Sequence, residues 1–235
     1  MADEKKYLRE ILTEARNCLS PNQVDSWSSA ICSRILASPD YQRSRRVVLY
    51  ASVSKEVRAD SILDDALRSG RLVFFPKVEA KHLVLIRVRA ASELKPGRFG
   101  INEPSGGQTV PAPELDDAVV CVPGLAFSPS GQRLGRGSGY YDRLLSTISP
   151  QAALLGLAYS FQLIDRLPES DGDRRVHQVF TQSAVHAAPN RAVWIREPHA
   201  KQSKEVHPRV SFDGTSGAGD RRNRDADREP ASESK

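Results

Sequence analysis

The segment Val122–Leu145, VPGLAFSPSGQRLGRGSGYYDRLL, restricts the possible folds more than any other stretch of the chain. An apolar run, Ala118–Val122, enters Pro123-Gly124. Three closely spaced glycines, Gly135, Gly137 and Gly139, then precede a helical pattern over about Tyr140–Thr147. A strand feeding a glycine-rich turn and a helix is the repeating unit of α/β sheets. Glycines let backbone N–H groups approach an anion without a Cβ in the way, and the helix start adds free amides and the positive end of its dipole. With Arg136 between two of the glycines, the loop is expected to hold phosphate. No Gly-Lys-Ser/Thr closes it, so it is not a P-loop, and the glycine spacing is not the dinucleotide fingerprint.

The remaining periodicities agree with an α/β sheet. Leu8, Ile11, Leu12, Ala15 and Leu19 recur at helical spacing over Lys5–Leu19, with Lys5, Arg9 and Arg16 in one column beside that stripe. Ser20 and Pro21 read as the cap and first turn of a second helix carrying Val24, Trp27, Ile31 and Ile35, which Pro39 is expected to stop. Val47–Val53 reads as a strand, and a helix through Ile62, Leu63, Ala66 and Leu67 ends at Gly70. Leu72–Phe75 is a short strand closed by Pro76, and Leu83–Val88 a third. Residues 91–115, rich in Gly and Pro, read as a long loop of the kind that often carries function. Strands follow at Leu154–Ala158, Val176–Thr181 and Ala192–Ile195. One domain is expected over residues 1–198, and residues 199–235, nearly devoid of large apolar groups, are expected to form a disordered polar tail.

Composition narrows the function classes. The formal charge of +5 is spread along the chain and mixed with acids, without aromatic–basic interleaving, which argues against nucleic acid and fits a polyanionic small molecule equally well. No apolar run approaches the ~20 residues of a membrane span, and MADEKKYLRE lacks a signal-peptide core, so a cytoplasmic protein without membrane contact is expected. Cys18, Cys32 and Cys121 are widely spaced in apolar contexts, suggesting buried, inert thiols rather than a disulfide framework or a zinc site. A monomer is the expected state.

Asp142 sharpens the reading of the loop. A carboxylate in the first helical turn can simply pair with the helix dipole. Beside phosphate it would be repelled unless a cation intervened, which suggests a magnesium ligand. Tyr140 and Tyr141 before it offer flat faces suited to an aromatic ligand.

Taken together, this stretch resembles the signature of the 5-formyltetrahydrofolate cyclo-ligase family. The resemblance extends to Lys5-x-x-Leu8-Arg9, Glu56, Phe75-Pro76-Lys77, Phe99-Gly100 and Glu103-Pro104. It continues through Gly156-Leu157-Ala158, Gln162-Leu163 and Leu167-Pro168 to Asp173 and Thr181, and so covers roughly residues 3–185. It implies a three-layer α/β/α, Rossmann-like domain with a mostly parallel central sheet. It also implies a reaction in which Mg-ATP phosphorylates the formyl oxygen of 5-formyltetrahydrofolate, N10 attacks the activated carbon, and phosphate leaves to give 5,10-methenyltetrahydrofolate.

Carried onto this sequence, the resemblance makes Arg136 and Tyr141 the expected catalytic residues. ATP would be held by Lys5, Arg9, Leu134, Gly135, Arg136, Gly137, Ser138, Gly139, Tyr140 and Tyr141. The folate would be met by Glu56, Tyr140 and Tyr141, and Mg2+ by Asp142 and Asp173. His82 and His186 are expected at the surface without a catalytic role. Five positions depart from the family pattern: Ala59 stands for Thr, Ser138 for Lys or Gly, Gly172 for His, His177 for Asp and Gln182 for Glu. If the acids at 177 and 182 normally support the metal, their loss would weaken its binding. The alternative to an active ligase is therefore an impaired folate- or nucleotide-binding member that sequesters ligand or joins a complex.

Overall fold

The computed structural model describes residues 2–97 and 100–189. Phe99, the strand expected at Ala192–Ile195, the domain boundary at 198 and the tail from 199 lie outside the described residues. Helices α1 (Ala2–Asn17), α2 (Pro21–Leu36) and α3 (Pro39–Arg43) lead into strand β1 (Arg46–Val48) and helix α4 (Asp60–Arg68). Strands β2 (Leu72–Glu79), β3 (His82–Val88), β4 (Leu94–Pro96), β5 (Asn102–Pro104) and β6 (Thr109–Val110) come next. Then follow β7 (Ala118–Pro123), β8 (Ala126–Phe127), β9 (Arg133–Leu134), α5 (Tyr140–Thr147), β10 (Ala153–Leu157), β11 (Gln178–Phe180) and β12 (Val185–Ala187).

Eight strands form one sheet in the order β12-β11-β10-β7-β1-β2-β3-β6. The run from β11 to β2 is parallel throughout, while β12, β3 and β6 add antiparallel edges. Successive residues of the central strands enter opposite cores, as a pleated strand requires. Val47, Val73, Val119, Cys121 and Leu155 join the layer built with α2 and α4, whereas Val48, Phe74, Val120, Val122 and Leu154 join the layer built with α5. The fold is therefore a three-layer α/β/α sandwich with a mostly parallel sheet, as the resemblance implies.

Five local expectations are corrected. Pro39 does not merely end α2: Ser38 accepts the amide of Tyr41 at 3.3 Å, and Pro39 opens the short helix α3. Pro76 does not close β2, which continues to Glu79 with Pro76 paired to Leu85. Phe74 turns its carbonyl toward β1, where Leu49 donates to it at 2.9 Å. Pro76, two residues on, presents its missing N–H to the same side, beyond the last pair of that ladder, so no ladder bond is lost.

In α1 the inward face is rotated from the apolar stripe. Leu12 and Arg16 are buried, Lys5, Leu8 and Arg9 are partly covered, and Ile11 is 39% exposed. Basic residues occupy the inner face because acidic partners wait there. Cys18 is exposed, while Cys32 and Cys121 are buried and all three are free thiols. The long 91–115 segment also contains more structure than a loop, including the β4–β5 pair and β6 on the sheet edge.

Candidate active site

The sheet has a switch point between β1 and β7. After β1 the chain crosses through α4 to β2 on one side, and after β7 it crosses through α5 to β10 on the other. α4 and α5 pack on opposite faces, so the segments leaving the two strands diverge and open a crevice at their carboxyl ends, the usual ligand position in open α/β sheets. A cleft of about 600 Å³ occupies this position. Every site residue named from the sequence lines it, from Lys5 and Arg9 through Glu56 and the Leu134–Asp142 segment to Asp173.

The arm between β7 and α5 is built to present the glycine loop. β8 and β9 pair antiparallel, and the loop then turns through Gly137 at φ +102° and Gly139 at φ +67° into α5. Those two conformations are why glycine is required here. Arg9 Nε donates to the Gly135 carbonyl at 2.9 Å, tying α1 to the loop. Lys5 Nζ donates to Asp173 Oδ2 at 2.6 Å and to Ser170 Oγ at 2.9 Å, tying the same helix to the segment before β11.

Glu56 collects two guanidinium groups. Arg136 Nη2 lies 2.9 Å and Arg16 Nη1 3.5 Å from the same oxygen, Oε1, while the Val53 amide donates to Oε2 at 3.1 Å. Arg16 is only 1% exposed, and burial holds its pKa below the ordinary value, with Glu56 acting in the opposite direction. At the start of α5, Arg133 Nη2 donates to Asp142 Oδ1 at 2.6 Å and its guanidinium carbon sits 5.8 Å from the centre of the Tyr141 ring. Burial, followed by the Glu56 charge, pushes the Tyr141 phenol well above its ordinary pKa, so it stays protonated as a hydrogen-bond donor at neutral pH. Together these groups form a cleft with a cationic loop at one end and aromatic and acidic walls around Tyr50, Tyr141, Glu56 and Glu103.

A profile of the 5-formyltetrahydrofolate cyclo-ligase family matches residues 1–182. The chain belongs to the 5-formyltetrahydrofolate cyclo-ligase family. A probable 5-formyltetrahydrofolate cyclo-ligase of Schizosaccharomyces pombe is 35% identical over 150 residues, covering 62% of this chain and 74% of the relative. Another, from Caenorhabditis elegans, is 32% identical over 194 residues, covering 74% and 91% of the two chains. The NMR structure of Aquifex aeolicus 5,10-methenyltetrahydrofolate synthetase superposes with a TM-score of 0.70 at 32% identity, covering 86% of this chain and 98% of that one.

Several cyclo-ligase signature residues work behind the cleft. The Gln162 side chain donates to the Gly124 and Leu125 carbonyls at 3.2 and 2.9 Å, fixing the chain as it leaves β7. Gln132 bonds both the N–H and the C=O of Leu167 at 3.1 Å, anchoring the segment that leads to Asp173. Arg133, Tyr50 and Glu103 line the cleft and Arg16 lies behind it against Glu56, four residues not expected at the site from sequence. Arg133 stands in the quoted loop and Glu103 in the quoted Glu-Pro pair, so both signals were visible; the burial that distinguishes them was not.

The departures from the cyclo-ligase pattern fall mostly outside the cleft. Only Ser138 lines it, while Ala59, Gly172, His177 and Gln182 do not. His177 Nδ1 accepts the Leu154 amide at 3.0 Å, and Gln182 Oε1 accepts the Ser160 amide at 2.9 Å. Both hold backbone, so the concern that they deplete a metal shell finds no geometric basis. His82 is exposed and His186 half-buried on the edge strand β12.

Among the described residues no group of three or more metal-ligating side chains exists. Asp142 and Asp173 both line the cleft, and a magnesium ion that keeps waters and takes oxygens from phosphates needs only one or two carboxylates. Each carboxylate now leans on a cation, Arg133 or Lys5.

Proposed function

We propose that this chain cyclises 5-formyltetrahydrofolate to 5,10-methenyltetrahydrofolate at the expense of ATP, releasing ADP and phosphate. The observation carrying this reading is the single switch-point cleft that gathers a cationic glycine loop, two acidic residues beside cations and an aromatic–acidic wall. A formyl oxygen is a poor leaving group until it is phosphorylated, so the protein's task is to align two substrates and neutralise charge on the moving phosphoryl group.

In this reading Arg136, Lys5 and Arg9 bind phosphate oxygens, with the loop amides from Gly135 to Gly139 beside them. Glu56 accepts hydrogen bonds from the pterin, and Tyr140 and Tyr141 flank the flat rings. Tyr141 stays protonated and donates. Asp142 and Asp173 would hold Mg2+, which when bound supplies charge neutralisation on the phosphates. The reading includes a monomeric cytoplasmic enzyme, and the three free thiols suit a reducing compartment.

The test is to mix the protein with 5-formyltetrahydrofolate and Mg-ATP and follow the methenyl product by absorbance. Product that requires magnesium and is lost in Asp142→Asn supports the ligase and the metal role together. Binding of both substrates by calorimetry without product would refute the enzymatic reading and leave a ligand-binding protein.

A further inference from the structure

We propose that Arg136 is shared between the two halves of the cleft, so that binding of nucleotide phosphates releases Glu56 for the second substrate. The inference rests on the functional reading above and concerns how its two sites communicate.

The Glu56 carboxylate has little acceptor capacity to spare. Oε2 takes the Val53 amide at 3.1 Å, and Oε1 faces both Arg136 at 2.9 Å and Arg16 at 3.5 Å. The two guanidinium groups differ in mobility. Arg16 projects from the inner face of α1 with its side chain 2% exposed, and it is the permanent counter-ion. Arg136 has a side chain 50% exposed and stands between Gly135 and Gly137 in the loop. It can leave without opening the core.

A phosphate seated on the loop amides offers Arg136 a stronger, bidentate partner than a carboxylate oxygen already shared with another cation. Its departure also relieves the repulsion between two guanidinium groups converging on one oxygen, which adds to burial in lowering the Arg16 pKa. Glu56 is then left with Arg16 and an open Oε1 position directed at the cleft, ready for an N–H donor of a flat heterocycle. Thermodynamic linkage makes the effect reciprocal: a ligand that takes Glu56 frees Arg136 for phosphate.

The decisive measurement is the affinity of Glu56→Gln for the non-hydrolysable ATP analogue AMPPNP with Mg2+, in the absence of any folate. Glu56 makes no phosphate contact in the proposed site, so a pure folate-binding role leaves nucleotide affinity unchanged. A latch predicts tighter nucleotide binding by about fivefold, the scale of a half-exposed ion pair. Unchanged or weaker binding overturns the proposal.

Because Gln at 56 strips the buried Arg16 of its charge partner, a second measurement uses the wild-type chain. Calorimetric titration of 5-formyltetrahydrofolate should show at least severalfold tighter binding with AMPPNP present, and equal affinity in both titrations overturns the latch. Wild type that turns over while Glu56→Gln leaves nucleotide affinity unchanged rejects the latch alone. Tighter AMPPNP binding by Glu56→Gln in a protein without turnover rejects the ligase reading alone.

Discussion

Arg133 and Asp142 form an ion pair of 2.6 Å at the start of α5, with the arginine side chain 3% exposed and the aspartate 26% exposed. The carboxylate proposed for magnesium is thus held in place by a buried cation that also lies near the Tyr141 ring. Asp142→Asn keeps the shape and removes the charge. Turnover should fall at least ~100-fold, the usual scale for losing one preorganised electrostatic group. AMPPNP affinity measured without magnesium should change little. A full loss of nucleotide binding without metal would show that Asp142 shapes the loop instead.

Arg16 meets Glu56 at the wall of the cleft, where the two side chains are 2% and 9% exposed. Arg16→Met preserves length and apolar contact but leaves the 8% exposed Glu56 leaning on Arg136 alone. Truncating one partner of a buried pair strands the other charge, and the expected destabilisation is ~2–3 kcal/mol. Urea unfolding checks this through the transition midpoint. A loss in the Glu56→Gln, Arg16→Met double variant equal to the sum of the two single losses would mean that the pair is not coupled.

Gly156 in β10 faces the Phe127 ring. A Cβ at 156 would sit 2.6 Å from Phe127 Cε1, and one at Gly124 would sit 2.7 Å from the same ring. Gly156→Ala should therefore destabilise the fold by ~2 kcal/mol through overpacking. Adding Phe127→Leu should recover part of that loss. Thermal unfolding of the single and double variants decides it, and an unchanged melting temperature in Gly156→Ala would contradict the close approach.

Burial pushes the Cys32 thiol from an ordinary 9.0 up to about 12. A folded-state pKa raised in this way stabilises the fold fully below pH 9. That contribution is lost as pH climbs toward 12, since the unfolded chain releases its proton first. Buried Cys121 and Tyr50 and half-buried Tyr141 are shifted in the same direction. Urea midpoints should hold between pH 7 and 9 and fall above that window. At pH 8 a disulfide reagent should modify exposed Cys18 at once, and Cys32 and Cys121 only on unfolding.

Much of the fold was legible, as were the residues of the cleft named in advance, because their signals are local. The capping box of Ser20 and Gln23, the α5 boundaries and the glycines at positive φ each depend on a few neighbouring residues. The errors arose where a distant partner decides. Pro76 continues a strand because β1 has already ended beside it, and the α1 face turns inward because Asp173 and Glu56 await its cations.

By itself the sequence determined the strand–loop–helix unit, the family resemblance and the residues that meet at one cleft. Tertiary structure alone decided which of them touch. The Glu56–Arg136 and Glu56–Arg16 contacts join residues 80 and 40 positions apart, and Lys5–Asp173 spans 168. The physical reason is the range of the interactions: helix caps and turn conformations are set within a few residues, whereas burial and charge pairing depend on which segments the sheet order brings together.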